Sequence, residues 1–374
     1  MSDGQNEVPL GNSDGVDKNV PNSLSGDRIK KIANRLCGDI WLAVFKWLCC
    51  AQLGLEIAPI NRRFDIIVDE HFITRQWSLV EIIRIRGKIG EDGTKAMEIV
   101  NADGKSLPIP QNPPPNEVIG FRIITIQYFD RNVLAFLRLF LSRFDACEIF
   151  LAFIVEPNSD HLKLILLNIW PMLKDNIRYI YIGEMYSLRS LRRFFPSILS
   201  DCPSLRFVHG LFCPAFPPDE SANALDDQAL TKWLLTPRLD GLPKVFMHGV
   251  FQNVEELSPI IKGMKAPFLK ASSAVSFVIL FYVHPYAGLP VPFELINAFT
   301  GELLELIKRD EYGRHMMIRS PISRDKAKWT QWEKEAIEWE SLTEWNNIEV
   351  ELRDDGIGEG LLDAIHGQSD QQHE

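Results

Sequence analysis

The chain is short of the features that classify a protein most quickly. Its six cysteines, Cys37, Cys49, Cys50, Cys147, Cys202 and Cys213, form no CxxC pair and no regular framework. That argues against a disulfide-stapled or zinc-ribbon fold and implies reduced thiols in a reducing compartment. Adjacent Cys49 and Cys50 lie in an apolar stretch and read as buried thiols. No run of eighteen apolar residues is available to span a membrane, so no membrane partner is expected. Positive charge is also scarce: 40 Lys and Arg stand against 50 Asp and Glu, a net charge of -10, with no basic arm or aromatic-basic strip. Nucleic acid is therefore not an expected partner. GxSxG, Walker, GxGxxG and HExxH patterns are missing, and His161, His209, His248, His284 and His315 have no metal-ligand spacing. No catalytic residue, cofactor or metal is expected. The opening residues lack a basic start and an apolar core, so no secretory signal is read and a cytoplasmic or nuclear protein is expected.

What is present is an ordinary globular composition, 46% hydrophobic and 24% charged over 374 residues, enough for one large domain or two. Residues 1–27, rich in Gly, Ser, Asn and Asp, read as a disordered tail. Arg28, Lys30, Lys31 and Arg35 then read as the solvated start of a helix rather than a nuclear-localisation signal. Leu36, Ile40, Val44, Phe45 and Leu48 recur at three- and four-residue steps, predicting one helix face that ends near Cys49. A short helix over 51–57 is expected next, then a third over 61–72 with Phe64, Ile67, Val68 and Phe72 on one side. Proline is tolerated only in a first helical turn, so Pro59 places the start of that third helix. Three such helices, assigned to a module over 28–76, are too small to bury a self-sufficient core, which leaves an apolar face for a partner.

Residues 77–117 read as a hairpin and linker. A strand is predicted over 77–86, and a second over 96–100 turns at Asp103-Gly104. Pro108, Pro110, Pro113, Pro114 and Pro115 forbid regular structure after it. Over 118–283, strand-like runs at 121–129, 147–155, 177–182 and 205–209 alternate with helical stretches at 132–143, 161–173 and 187–199. Their starts lie about 26 to 30 residues apart, and a fifth unit follows with a helix at 226–235 and a strand at 244–249. Such spacing predicts parallel strands with helical returns. A horseshoe arc is the preferred architecture and an open α/β sheet the alternative. Residues 284–353 form a terminal α+β segment: an apolar strand over 274–283 leads to a hairpin turning at Gly301, a strand over 315–320, a helix over 323–345 capped by Ser323, and a closing strand over 347–352. Residues 354–374 read as a frayed tail; the DDGIGEG run within it is too acidic to hold phosphate.

Two clusters invite a chemical reading. Trp329, Trp332, Trp339 and Trp345 are interleaved with Glu333, Glu335, Glu338, Glu340 and Glu344, the residue types of a glycoside hydrolase. A carbohydrate-active enzyme would use Trp332, Glu335 and Trp339. The same helix carries Lys326, Lys328 and Lys334, as a solvated face does, so the tryptophans are expected to dock it on the terminal sheet. His209-Gly210 and His248-Gly249 close two strand-like runs alike; they can stack as neighbouring strand ends or share a ligand.

The 36–72 pattern resembles the F-box, the module by which substrate receptors dock on the S-phase-kinase-associated adaptor of cullin-RING ubiquitin ligases. The family's opening Leu-Pro-x-Glu-Ile/Leu stands here as Leu36, Cys37, Gly38, Asp39 and Ile40, and its Ile/Leu-x-x-x-Leu helix as Val44, Phe45 and Leu48. Its Asp-Leu turn stands as Gln52-Leu53, and its Val-Ser-Arg-Arg-Trp/Phe element as Ile60 to Phe64. Cys37 replaces the family's proline, and Pro59 is an addition. The run Cys202-Pro203-Ser204-Leu205-Arg206-Phe207-Val208 resembles the entry to a repeat strand in F-box proteins with leucine-rich repeats. Taken in order, 36–41, 61–65, 107–121 and 327–339 resemble an expanded nematode F-box-like family. The resemblance implies an N-terminal three-helix F-box-like module followed by irregular leucine-rich-repeat-like strand-helix units and the terminal segment. It implies adaptor contacts from Leu36, Cys37, Ile40, Val44, Leu48 and Leu53, an unknown protein target held by the repeat-like region, and no enzymatic activity of the chain itself. The alternative is a non-catalytic repeat-type interaction module without a ligase role.

Overall fold

The computed structural model describes residues 36–46, 48, 53, 57–73, 77–91, 93–114, 118–144, 147–154, 159–183, 188–211, 213–251, 254–284, 288, 290–310, 313–339, 345–352 and 355–358. Its contacts divide the chain into two units, Met1–His71 and Phe72–Glu374.

In the first unit, helix α1 (Gly38–Phe45) does not gather its apolar residues on one face. Trp41 and Phe45, four residues apart, turn inward: the Trp41 ring meets Phe64 edge-on at 4.9 Å, and Phe45 meets His71 at 5.9 Å. Phe45 is buried, whereas Ile40 and Val44, one step round the helix, are exposed. A 3-10 turn, Ala58–Ile60, contains Pro59. Asn61 is then extended, and its side-chain oxygen accepts the N–H groups of Arg63 and Phe64 at 2.9 and 3.1 Å. Asn61 therefore caps α2 (Arg62–Ile73), and Pro59 stands ahead of the helix rather than in its first turn. Phe64, Ile67, Val68 and His71 form the buried stripe of α2, and the Arg63 guanidinium donates to the carbonyl of Leu36. Most of the helix expected over 51–57, with Cys49 and Cys50, lies outside the described residues.

The second unit is built on one sheet. Its strands are β1 (Trp77–Ile89), β2 (Lys95–Val100), β3 (Ser106–Leu107), β4 (Val118–Ile126), β5 (Ile149–Phe153), β6 (Ile177–Ile182), β7 (Phe207–Gly210), β8 (Lys244–Phe251), β9 (Phe277–Val283), β10 (Phe293–Asn297), β11 (Glu302–Lys308), β12 (Arg314–Pro321) and β13 (Asn347–Val350). They lie in the order β10-β11-β12-β9-β8-β7-β6-β5-β13-β4-β1-β2-β3. The run from β1 through β4, β13 and β5 to β9 is parallel; β2 and β3 extend one end antiparallel, and β12 to β10 the other. The helices of this unit are α3 (Arg131–Leu141), α4 (Ser159–Asn168), α5 (Trp170–Leu173), α6 (Leu188–Arg192), α7 (Asp226–Leu234), α8 (Val254–Leu269) and α9 (Lys326–Ile337).

Layering follows from the order of the strands. From β5 to β9 each strand lies beside its successor in the chain, and right-handed returns that always advance in one direction place their helices on one face. Phe136, Leu166, Trp170, Leu191, Trp233 and Met264, from α3 to α8, accordingly share one core with Ile124, Leu151, Ile180, Val208, Phe246 and Ile279. The opposite face carries Tyr179, Phe207, Val245, Met247, Val278, Leu280, Met316 and Ile318, which pack against Trp329 and Ala336 of α9.

The structure departs from the expectations at several places. The repeat-like run is not an uninterrupted stack, because β13 lies between β4 and β5 and pairs in parallel with both, Ile348 opposite Ile124 and Leu151. It is thus an interior strand, not a closing one. The segments assigned to 77–117, 118–283 and 284–353 are joined in this one sheet. Helix α6 is much shorter than 187–199: it ends at Arg192, and Arg192 Nε donates to the carbonyl of Pro196 at 3.2 Å. Helix α9 starts at Lys326 because the Asp325 carboxylate, not Ser323, accepts the free N–H groups of Ala327 and Lys328. Other elements match closely: β6 and β10 to β12 lie where expected, and Gly104 and Gly301 turn their hairpins at φ 78° and 67°. Among the described residues no helix is long and apolar enough to cross a membrane.

The β11–β12 ladder is fastened by a buried ion pair. Arg319 donates to Glu302 at 2.6 Å and to the Ser273 carbonyl at 2.9 Å, while Glu302 also accepts the N–H of Val275 at 2.8 Å. Glu302→Ala leaves a buried guanidinium without its counter-charge. Its expected cost is about 3–5 kcal/mol, read as a lower urea midpoint, with partial recovery in Glu302→Leu/Arg319→Met. A single variant indistinguishable from wild type refutes this role.

Candidate interaction surfaces

On the first unit, the six residues assigned to adaptor contact separate by burial. Cys37 is exposed, Ile40 is 47% exposed and Val44 40%, Leu36 and Leu48 are half-buried, and Leu53 is fully buried. Leu53 therefore meets no partner directly in this conformation. Ile60 and Ile66 add exposed apolar surface at 57% and 56%. The exposed Ile40–Val44 ridge is rigidly backed, since the inward stripe of α1 is fixed by Trp41 and Phe45 against Phe64 and His71.

In the second unit, the residues of the carbohydrate reading are engaged by the fold. Trp339 stacks on Tyr179, ring centres 5.5 Å apart and planes 14° from parallel, and meets His209 at 5.2 Å. Glu335 accepts from the buried Arg206 at 2.7 Å, and Trp332 packs edge-on against the buried Trp329. The tryptophans thus fasten α9 to the sheet, as their spacing led one to expect, and the carbohydrate reading loses its three residues. Beyond α9 the same face continues over β5, β13 and β4 with Phe150, Glu349, Thr125 and Gln127. Here Thr125 donates to Glu349 at 3.0 Å and Gln127 to Glu351 at 2.8 Å.

The two strand-end histidines do not meet. His209 lies opposite Met247, and His248 opposite Gly210, so their rings point to opposite faces. His209 joins Tyr181 and Trp339; His248 lies flat on Phe251 at 4.1 Å on the helical face. The shared ligand is therefore set aside. Among the described residues no three His, Cys, Asp or Glu side chains are grouped to hold a metal.

One cleft was not legible in the sequence, because its walls come from α6 and from the start of α7 with the segment before it, which share no motif. It has a volume of about 890 Å³ and lies where β6 and β7 end, between Arg189, Arg192 and Arg193 on one side and Leu225, Asp226 and Asp227 on the other. Its buried charges serve the fold. Arg192 donates to the carbonyls of Ser221 and Ala224 at 2.7 Å and contacts Asp226 at 3.4 Å. Asp226 accepts the N–H of Arg189 at 2.7 Å, and Asp227 that of Cys213 at 2.9 Å. Burial pushes the Cys213 thiol up to about 12, which denies it thiolate chemistry at neutral pH.

No family model, curated protein or solved structure matches this chain.

Burial, together with the nearby His248, lowers the His209 pKa to about 4, against an ordinary value near 6.5. The native ring stays neutral while the unfolded one takes up a proton, so stability falls as pH drops from about 6.5 towards 4. Urea midpoints at neutral and mildly acid pH should differ less in His209→Phe than in wild type. An unchanged difference shows that other groups govern the acid limb.

Proposed function

We propose that the chain is a substrate-recognition subunit of a cullin-RING ubiquitin ligase. In this reading Leu36, Cys37, Ile40, Val44 and Leu48 bind the S-phase-kinase-associated adaptor, and the 118–283 strand-helix array takes a protein target. The observation that carries the reading is the Ile40–Val44 ridge, two β-branched side chains left in solvent on a helix whose opposite stripe is firmly packed. An apolar ridge on so small a unit has a physical use only if something covers it. The receptor makes and breaks no bond. It holds target lysines at high effective concentration beside the ligase's catalytic partner, and so accelerates transfer by proximity. A reducing cytoplasmic or nuclear setting suits both the free thiols and that assembly.

A second reading keeps the array and drops the ligase: a repeat-type interaction module with no adaptor. Among the described residues α9 is the helix packed on the second face of the sheet, and Phe150, Glu349 and Gln127 beyond it are only part-buried, which offers a surface under either reading.

The two separate in a pull-down. Ile40→Asp/Val44→Asp should abolish co-purification with the adaptor, while circular dichroism and thermal midpoint stay close to wild type, because exposed substitutions cost only about 0.5 kcal/mol. Wild-type protein that retains no adaptor in a reducing buffer ends the ligase reading and leaves the interaction module.

A further inference from the structure

The two ends of the sheet are finished in different ways. At one end β3 is only two residues long, follows Lys105 and runs into Pro108 and Pro110. A very short strand, a lysine and residues without N–H groups are devices that stop an edge from pairing. At the other end β10 is the last strand, and among the described residues it pairs with β11 alone. Its surroundings are apolar: Val291 is 81% exposed, Ile296 60% and Phe299 81%, with Glu294 the one charge in the strand. An edge of this kind is a template for a further strand. It is also preformed, because Asn297 at its end donates to the carbonyls of Phe268 and Ala271 at 2.8 and 2.9 Å.

We propose that β10 pairs antiparallel with β10 of a second copy of this chain, about a two-fold axis through Leu295. The pattern around the strand selects a second copy rather than an unrelated segment. In an antiparallel pair centred on Leu295, residues equally distant from the centre on either side face each other. Val291 precedes β10 and Phe299 follows it in the turn to β11, so antiparallel pairing brings the exposed apolar residue at each end of one strand close to the unlike end of the other, twice. Ile296 lies across from Glu294, so neither carboxylate opposes a like charge. Phe293 faces Asn297, and Leu295 faces itself. The contact is isologous and closes at two chains. It draws on nothing in the first unit and is independent of the ligase reading.

The full chain should show a concentration-dependent dimer by light scattering between about 1 and 100 µM. Ile296→Lys/Phe299→Asp should weaken the dimer at least tenfold, with an unchanged circular dichroism spectrum. Register is tested separately by mixing Glu294→Cys with Ile296→Cys protein under mild oxidation. Directly opposed residues lie about 4.5–5.5 Å apart, within disulfide reach, so the mixture should give a cross-linked heterodimer whose 294–296 bond is identified by mass spectrometry. A monomer at the highest concentration overturns the proposal, as does a dimer indifferent to the double substitution. A dimer that forms no 294–296 cross-link, or a monomer that takes up an extended peptide at this edge instead, does so as well.

Discussion

The second unit depends on where four residues are placed. Asn347 to Val350 enter the sheet between β4 and β5 and complete parallel ladders on both sides, and Ile348 at their centre is fully buried. Strands β4 and β5 are consecutive in the chain, yet each finds its partner in a segment some 200 residues away. Each buried N–H and C=O on their facing edges needs an acceptor or donor, and β13 supplies them. The entry is fixed by Asn346, which holds φ 56° and binds Phe121 through both its backbone N–H and its side-chain oxygen. The sheet is therefore closed by its C-terminal region. Truncating the chain before β13 removes the pairing of two central strands, not a peripheral turn.

This arrangement accounts for what was legible in the sequence. Local signals were faithful: the run Ile177–Ile182 is β6 to the residue, and the glycines at 104 and 301 mark turns that need positive φ. Caps were harder, because Ser323 and Asp325 are both competent and only the backbone path decides between them. Long-range placement was not legible at all. Asn347 to Val350 reads as a strand, but four residues carry no statement of which edges they join, and the regular spacing of the preceding units suggested a stack that needs no intruder. The cleft between Arg192 and Asp226 escaped for the same reason, its two sides being the end of α6 and the start of α7, with no shared motif.

The N-terminal helix shows a subtler limit. A period of 3.6 residues puts Ile40 and Val44 only about 100° from Trp41 and Phe45, so hydrophobicity alone joins them in one broad stripe. Area separates them. The aromatic pair buries more surface and makes favourable edge contacts with Phe64 and His71, so it takes the inside. The branched pair is left outside. Of the residues that the F-box resemblance assigns to adaptor contact, packing leaves Cys37, Ile40 and Val44 exposed and Leu36 and Leu48 half-buried, while Leu53 lies inside.

The face opposite α3 to α8 divides by polarity along its length. Under α9 it is apolar, with Val245, Met247, Val278 and Leu280, and Arg206, Glu335, Arg324 and Glu305 pair at the margins of the contact. Over β4 and β13, beyond the described part of α9, the same rows change to Thr125, Gln127, Glu349 and Glu351, already bonded in pairs across the strands. A face that had simply lost a covering helix would stay apolar along its length. Thr125 is buried and Gln127, Glu349 and Glu351 are part-buried, so their pairing supplies the partners that polar groups need when they are withdrawn from water.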